Sequence, residues 1–478
     1  MAKQLAGDEL AFTPATELRK MIAAKKLSPV ELTEMYFSRI EKLDKRLNNY
    51  LTLDHDGAMA TARRAERAVM KGERLGPLHG LPVSIKDLEI TKGLRTTGGC
   101  LAFKDRVPAE DAVLVERIKK AGAIILGKTN TPEFGLLGRT ENRLGDPCRN
   151  PWDPTRTTGG SSGGGGGSVV AGLCSLAQGS DGGGSIRIPS SFCGVYGIKP
   201  TLGRVPRYSG ANAAMLPNQF SQPGPMTRTV LDSALLLQVL AGHDPRDATS
   251  LREKAPDFVK AVRKPVKGLR IAWSTDYGYA AVDPEVVRVC AKAARVFEEF
   301  GCAVEQAKLK LDAPFDTFWP LFTANAFASY GGLLKEKASL LTDYTLAQLE
   351  YGASVTGAQY ATAIGRMDRL RAQFTDLLSS YDLLLSPTMA VPAFEHGKPP
   401  PVINGKKVDA FWGYLPFTYP INMAGNPAAS IPCGYSKERY LPIGLHIVGR
   451  RGDEATVLAA SAAFEQARPW IQDRPPVS

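Results

Sequence analysis

The chain has 478 residues, of which 44% are hydrophobic and 22% charged, and it carries a formal net charge of +11. These proportions are typical of a globular protein that buries a large core without covalent staples. The basic residues occur in scattered pairs such as Lys119-Lys120, which favours a solvated enzyme surface over a nucleic-acid partner. We find neither an apolar leader nor a run of roughly 18 apolar residues, so we expect no membrane partner and a cytoplasmic location.

The cysteines favour a reducing compartment, since their number is odd and no CxxC pair occurs. They are Cys100, Cys148, Cys174, Cys193, Cys290, Cys302 and Cys433. No His, Cys, Asp and Glu residues cluster with metal-ligand spacing, so we predict no metal and no cofactor.

The N-terminal segment, residues 1–72, reads as helical. Ser28-Pro29-Val30-Glu31 is a capping box with proline at the first helical position, and it predicts a helix over 29–43. A second helix is predicted over 56–71. Neither helix carries residues that suggest chemistry.

From Leu81 onward strands and helices alternate. Residues 81–85 predict a buried strand that ends at Lys86, and Asp111 predicts the cap of a helix that Gly122 ends. Further strands are predicted over 123–126, 269–273, 383–385 and 443–448, and further helices over 169–174, 283–301, 316–336, 357–379 and 454–467. Two loops are predicted, a long one over 203–227 and a surface loop over 394–408. This alternation indicates an α/β layered core.

Two motifs match known patterns but lack the required context. Residues 122–129 fit the phosphate-binding GxxxxGK[ST] pattern, yet the residues between the glycines favour a strand rather than a loop. Residues 159–163 fit the GxSxG elbow, yet 153–158 do not read as the buried strand that such an elbow follows. We therefore predict neither a nucleotide site nor a Ser-His-Asp triad.

The glycine- and serine-rich stretch over 158–189 is the strongest chemical signal. It sets Ser161 and Ser185 against glycines, whose N–H groups can approach a substrate closely, as a nucleophile beside an oxyanion hole requires. If histidine is not the base, Lys86 is a candidate, because burial lowers a lysine pKa from about 10.4 and a neutral lysine can accept the proton of a serine. The alternative for Lys86 is a strand-end lysine paired with Asp87.

These residues closely resemble the amidase signature family of serine hydrolases. The resemblance rests on Lys86, Gly-Gly-Ser-Ser-Gly-Gly at 159–164 and Asp-Gly-Gly-Gly-Ser-Ile-Arg-Ile-Pro at 181–189, and it continues through 192–201 and 224–229. It implies an α/β fold with a central, mixed, twisted β-sheet covered by helices on both faces, preceded by N-terminal helices. It also implies one amidase domain over 1–478, with a catalytic core at 81–200, a pocket loop at 203–227 and the remainder at 228–478.

The resemblance also implies roles for individual residues. Lys86, Ser161 and Ser185 match the Lys-Ser-Ser triad, with Ser185 as nucleophile and Ser161, after a cis bond from Gly160, as the bridging serine. The remaining implied residues are an oxyanion hole of Gly182, Gly183, Gly184 and Ser185, a loop brace of Asp181 and Arg187, and a substrate pocket of Gly135, Leu136, Leu137, Met215 and Leu216. Leu136, Met215 and Leu216 are also compatible with plain core.

The sequence departs from the family pattern in two places. Five glycines fill 163–167, and Ser180 and Gly182 stand where threonines are frequent. We hypothesise that these changes loosen the loop and broaden the substrate range.

The function expected from the resemblance is hydrolysis of C–N bonds in linear amides through a serine acyl-enzyme. Aryl amides, esters and carbamates share the same tetrahedral geometry. The alternatives are the A subunit of a tRNA-dependent amidotransferase and a catalytically silent binding subunit. For the amidotransferase, we find no arginine in 349–352 and no acid in 414–418 to hold the charged ends of glutamine. Small-molecule substrates are the expected partners, and many family members form homodimers.

Overall fold

Helices and strands alternate along most of the chain in the computed structural model, which describes residues 7–208, 210 and 219–478. The helices are α1 Gly7–Ala11, α2 Ala15–Ala23, α3 Pro29–Leu47, α4 His55–Lys71, α5 Val113–Lys120, α6 Gly163–Val170, α7 Arg187–Cys193, α8 Val230–Leu240, α9 Phe258–Ala261, α10 Pro284–Arg295, α11 Pro314–Tyr330, α12 Leu333–Glu336, α13 Asp343–Ser354, α14 Gly357–Ser380, α15 Thr418–Ala424 and α16 Glu454–Ala467. The strands are β1 Tyr50–Leu53, β2 Pro82–Lys86, β3 Ile124–Thr129, β4 Arg149–Asn150, β5 Asp153–Thr157, β6 Leu176–Asp181, β7 Tyr196–Lys199, β8 Gln222–Thr227, β9 Arg270–Trp273, β10 Ala303–Gln306, β11 Leu383–Pro387, β12 Val402–Ile403, β13 Lys406–Lys407, β14 Ala428–Tyr435 and β15 Pro442–Gly449.

Among the described residues, eleven strands form one mixed sheet flanked by helices, in the order β1-β3-β2-β6-β8-β7-β14-β15-β11-β9-β10. Parallel pairing joins β3, β2 and β6, and again joins β11, β9 and β10. The strands between these groups run antiparallel. Because β2 and β6 are parallel neighbours, their carboxyl ends, Lys86 and Asp181, lie at the same edge of the sheet.

The strands that carry this edge are buried along their whole length. Every residue of β2, β3 and β6 is buried, as expected for strands that are covered on both sides. The phosphate-loop look-alike at 122–129 contains β3, so its apolar residues form a strand, as the sequence predicted.

The N-terminal helices follow the capping signals. The Ser28 hydroxyl accepts hydrogen bonds from the N–H groups of Val30 and Glu31, and α3 continues to Leu47, where Asn48 adopts a left-handed conformation. The helix predicted over 56–71 is α4.

Two local predictions were wrong. Asp111 does not cap α5, whose N-cap is Ala112; the Asp111 carboxylate instead accepts from the Lys92 N–H and from the Lys119 amine. The last six residues of the predicted loop 203–227 form β8, inside the sheet. The residues before the GxSxG look-alike form β5, which is largely unburied and pairs with β4 in a small separate sheet, so they are not the buried strand that such an elbow follows, as the sequence predicted.

The glycines at 163–167 form the first turns of α6 and not a loop, which also corrects the helix predicted over 169–174. All five glycines are buried. A Cβ on Gly163 would lie 2.2 Å from the Thr140 hydroxyl oxygen, and one on Gly164 would lie 2.4 Å from the Asn130 nitrogen. Gly163 and Gly164 therefore permit close packing, and residues 163–167 belong to a helix and not to the loop that the hypothesis assumed.

Other features of the described residues bear on location and ligands. All seven cysteines are free thiols. Within the described ranges, no helix is long and apolar enough to cross a membrane. In the same ranges, no three His, Cys, Asp or Glu side chains are grouped as they would be around a metal ion.

Candidate active site

Lys86 lies at the end of β2 with its side chain fully buried. Its Nζ atom is 2.7 Å from the Ser161 Oγ atom and also contacts the hydroxyl and the carbonyl of Ser180, at 3.2 and 3.3 Å. The alternative pairing with Asp87 is not what the structure shows, since the Asp87 carboxylate accepts from Thr97 and Gly99. The Lys86 amine therefore contacts oxygen atoms of Ser161 and Ser180 and not the Asp87 carboxylate.

Burial lowers the pKa of Lys86 from 10.5 to about 7, and the positive charge of Arg207 adds to this effect. Glu89 and Asp181 act in the opposite direction but do not outweigh burial. A large fraction of Lys86 is consequently neutral near pH 7, and a neutral amine can accept a proton.

Ser161 follows a cis peptide bond from Gly160, as the resemblance implied. The position allows no larger residue before it, because a Cβ on Gly160 would lie 2.7 Å from the backbone of Arg139. Gly135 adjoins the same serine, since a Cβ on Gly135 would lie 3.1 Å from the Ser161 Oγ atom. The loop that contains Gly135 therefore borders Ser161.

Ser185 lies in the turn that connects β6 to α7, and its main chain is joined to the segment after Ser161. The Ser162 N–H donates to the Ser185 carbonyl at 3.1 Å. The Ser162 hydroxyl and Ser180 exchange hydrogen bonds, which ties the second serine of the motif to the end of β6. The structure thus brings Lys86 and Ser161 into direct contact and places Ser185 on a turn bonded to the adjoining backbone.

The contacts of the turn correct the predicted oxyanion hole. The Gly184 N–H donates to the Asp181 carboxylate at 2.8 Å, so it is occupied and is not available to a substrate. The N–H groups of Gly182, Gly183 and Ser185 donate to no acceptor in the part of the chain that the structure describes. These three groups remain candidates for binding an oxyanion.

Gly184 is required in this turn for two reasons. Its φ angle is +134°, a region that favours glycine, and a Cβ there would lie 2.4 Å from the Thr418 hydroxyl oxygen. Thr418 in turn donates to the Gly183 carbonyl at 2.7 Å. The turn is therefore held from the α15 side as well as from β6.

Asp181 and Arg187 form a fully buried ion pair beneath the turn. Two guanidinium nitrogens of Arg187 donate to the two carboxylate oxygens, each at 2.9 Å, and Asn422 also donates to the carboxylate. Burial raises the pKa of Asp181, but the charge and hydrogen bonds of Arg187 more than offset this and hold the pKa well below its usual range. The carboxylate is thus a fixed anion that also accepts from the N–H groups of Gly184, Ile186 and Arg187.

The predicted pocket residues are only partly brought together. Leu136 and Leu137 are buried, and Leu136 packs in a small apolar cluster with Phe134 and Leu349. The Leu136 carbonyl accepts from the Gln348 amide at 2.9 Å. The other two predicted pocket residues, Met215 and Leu216, lie outside the described residues.

An aromatic cluster beside the turn was missed by the sequence analysis. A Cβ on Gly183 would lie 3.2 Å from the Phe318 ring and 3.2 Å from the Trp412 ring. Phe318 also packs against Phe220 and Phe322. The helical spacing of the aromatic residues over 315–322 was the sequence signal for an aromatic helix face. Nothing in the sequence linked that face to Gly183.

The chain is similar to known proteins over almost its whole length. A model of the amidase family matches residues 31–458. Over 477 residues the chain is 38% identical to an acylamidase of Rhodococcus erythropolis, with 98% of each protein covered. It is also 38% identical, over 499 residues, to the A subunit of the glutamyl-tRNA(Gln) amidotransferase of Moorella thermoacetica, covering 98% of this chain and 99% of that protein.

The chain is also similar to solved structures of hydrolytic enzymes. A bacterial aryl acylamidase of the amidase signature family is similar with a TM-score of 0.91 at 34% identity, covering 97% of this chain and 98% of that chain. A 6-aminohexanoate cyclic dimer hydrolase is similar with a TM-score of 0.87 at 28% identity, covering 98% of this chain and 99% of that chain.

The fold and the relatives define an amide-hydrolysing enzyme. The chain belongs to the amidase family, the amidase signature family that the motifs resembled. The predicted family, fold class and general activity are confirmed.

Proposed function

We propose that this hydrolase cleaves amides of neutral, apolar substrates through an acyl-enzyme on Ser185, with Lys86 as the base and Ser161 as the proton relay. The observation that carries the proposal is the 2.7 Å contact between the fully buried Lys86 amine and the Ser161 hydroxyl. A buried amine with its pKa lowered to about 7 is a competent base at neutral pH.

In the first half-reaction the Ser185 Oγ atom attacks the carbonyl carbon of the amide. The Ser185 hydroxyl proton passes to Ser161, while the Ser161 hydroxyl proton passes to the neutral Lys86 amine. The carbonyl oxygen becomes an oxyanion, which the N–H groups of Gly182, Gly183 and Ser185 stabilise. Charge is conserved, because the cation formed on Lys86 balances the oxyanion.

The tetrahedral intermediate then collapses and the C–N bond breaks. Lys86 returns its proton through Ser161 to the departing nitrogen, so that a neutral amine leaves and an ester remains on Ser185. A water molecule then attacks the ester by the same route, giving its proton to the relay. The acid product is released when the Ser185 oxygen regains its proton.

The aromatic cluster beside Gly183 supports an apolar substrate class. Phe318 and Trp412 pack against each other beside Gly183, one of the residues whose N–H groups would hold the oxyanion, and this proximity supports a substrate with an apolar group near the reacting carbonyl. Aromatic faces bind apolar and aryl groups and offer no partner for a carboxylate. The similarity to acylamidase and aryl acylamidase proteins agrees with this class. Aryl esters and carbamates fit the same geometry.

The amidotransferase subunit is the alternative, since several relatives carry that name. Glutamine requires partners for its charged ends. In the two stretches singled out by the sequence, the side chains of Leu349, Tyr414, Leu415 and Phe417 are buried and offer no charge. We therefore propose the acylamidase-type activity.

Labelling with a serine-directed fluorophosphonate tests the proposed nucleophile. We expect an adduct at Ser185 in the natural chain, no adduct in Ser185→Ala, and labelling slowed at least about 100-fold in Lys86→Met and Ser161→Ala. Ser168→Ala is the matched control, because Ser168 is a buried serine of α6 that bonds within its helix. An adduct on another residue, or unchanged labelling without Lys86, would contradict the mechanism. Absence of any adduct would favour a silent binding subunit.

A substrate panel tests the class. We expect hydrolysis of an aryl anilide and an aryl ester, with Trp412→Ala raising KM for the aryl substrates more than for acetyl analogues. Ammonia release from glutamine, with no turnover of anilides, would instead support the amidotransferase subunit.

Three further predictions accompany this function. The free thiols support a reducing, cytoplasmic location, which fractionation of the native host would check. Light scattering would check the homodimer expected from the family. Cooperative unfolding in a single calorimetric transition would support one amidase domain over 1–478.

A further inference from the structure

A buried histidine on β15 contacts the ion pair beneath the catalytic turn. His446 is fully buried, and its Nε2 atom lies 3.0 Å from the Nη1 atom of Arg187. In the sheet it is flanked by Ser386 on β11 and Ser430 on β14, which lie opposite it in register. None of the reaction steps described above uses this histidine.

Arg187 has a different partner on each side of its guanidinium group. The Nε atom donates to Asp181, the Nη2 atom donates to Asp181 and to Asn422, and the Nη1 atom is bonded to His446. The two contacts with Asp181 hold its carboxylate, whereas the contact with His446 holds the opposite edge of the guanidinium plane. A planar group held at both edges cannot rotate without losing a bond.

The contact also defines the proton on the histidine ring. A guanidinium nitrogen can only donate, so the Nε2 atom of His446 must accept and the ring proton must lie on Nδ1. The Nδ1 atom faces the Ser386 hydroxyl at 3.5 Å, and that hydroxyl lies 3.0 Å from the Tyr277 hydroxyl. Burial, followed by the charge of Arg187, holds the pKa of His446 well below its usual range, which agrees with a neutral ring.

Hydrogen bonds connect His446 to the catalytic turn through Arg187 and Asp181. Asp181, whose orientation is set by Arg187, accepts from the N–H groups of Gly184, Ile186 and Arg187 around the turn. A rotation of the guanidinium plane would displace the carboxylate and, with it, the N–H groups on either side of Ser185. A displacement of about 1 Å at such a site can reduce the rate about 100-fold.

We propose that His446 is a positioning residue for amide hydrolysis, which as a neutral acceptor fixes Arg187 and through Asp181 aims the Gly182–Ser185 turn. The inference rests on the proposed function, in which that turn carries the nucleophile and the oxyanion donors. His446 itself does not contact the substrate or exchange protons with it.

Replacement of His446 by residues with and without an acceptor tests the inference. His446→Leu and His446→Met remove the acceptor, and His446→Gln supplies a carbonyl oxygen in its place. We expect kcat for an aryl ester and an aryl anilide to fall about 10- to 100-fold in the Leu and Met variants, with KM changed less than about threefold. The Gln variant is expected to recover most of the lost kcat.

The matched control is Thr388→Val, which removes the buried contact between Thr388 and Ser430 without touching Arg187. We expect this control to keep the natural kcat although it loses stability, so that lowered stability and lost positioning are separated. Circular dichroism checks that each variant is folded, and fluorophosphonate labelling of Ser185 gives a second rate. We expect labelling to slow in parallel with kcat.

Several outcomes would overturn the inference. Natural kcat in both the Leu and the Met variant would do so, as would equal loss in the Gln variant, or a change confined to KM. If the Leu and Met variants do not fold, natural kcat in a folded His446→Ala variant would have the same consequence. Failure of the natural chain to label at Ser185 would instead overturn the proposed function, so the two failures are distinguishable.

Discussion

At neutral pH an exposed lysine is almost fully protonated, whereas burial lowers the pKa of Lys86 to about 7. A protonated amine has no lone pair to accept the Ser161 proton, so the reaction requires the neutral form. We therefore predict that kcat/KM rises about tenfold per pH unit below pH 7 and levels off near pH 8. Initial rates with an uncharged substrate, measured from about pH 5.5 to 10, check this prediction. A rise centred near pH 10 would show that the base is an unperturbed lysine.

The site residues that could be predicted from the sequence are those that stand in a local motif. Ser161 and Ser185 stand among glycines, and Lys86 ends an apolar strand. The occupied N–H of Gly184 was not predictable, because it depends on where the Asp181 carboxylate points. His446 and Trp412 lie more than two hundred residues from the turn in sequence, and only the folded chain brings them close to it.

At the scale of elements, α6 forms although the helix propensity of its residues is low. Glycine is among the poorest helix formers, so the run over 163–167 indicated a loop. At Gly163, Gly164 and Gly167 the helix adjoins other residues too closely for a side chain, and this buried packing outweighs propensity. Strand β2 and the first half of β3 were predictable because their residues are mainly apolar, whereas the polar second half of β3 was not.

The same helix allows a prediction from two neighbouring glycines. At Gly165 a Cβ would meet Ala177 and Met226 at 3.6 Å, an ordinary contact, whereas at Gly164 it would lie 2.4 Å from the Asn130 backbone nitrogen. Gly165→Ala should therefore stabilise the protein by up to about 1 kcal/mol through helix propensity. Gly164→Ala should destabilise it by more than about 2 kcal/mol through overpacking. Thermal unfolding of both variants measures the difference, and equal shifts would contradict the packing argument.

At the scale of the whole molecule, the sheet joins distant parts of the sequence into one site. Strand β2 brings Lys86, β6 brings Asp181, and β15 near the end of the chain brings His446. This order could not be read from the sequence, because β8 lay in a predicted loop and β14 was not predicted. Alternation along the chain predicts the α/β class, whereas strand order depends on contacts between segments far apart.

The C-terminal helix α16 is tied to α8 by a carboxylate that should make the stability of the molecule depend on pH. The Glu465 side chain accepts from the Val230 N–H, and burial raises the pKa of Glu465 to about 7. Since the folded state holds this proton more tightly than the unfolded state, the favourable contribution is complete below about pH 4 and is lost as the pH rises through 7.

Glu465→Gln keeps an oxygen acceptor and cannot ionise. We expect it to match the natural chain near pH 4.5 and to exceed its stability by on the order of 1–2 kcal/mol at pH 8. Thermal melts across this range measure the difference, with Glu34→Gln on the exposed side of α3 as the control. A constant offset between the Glu465→Gln variant and the natural chain at every pH would show that the carboxyl group does not titrate in this range.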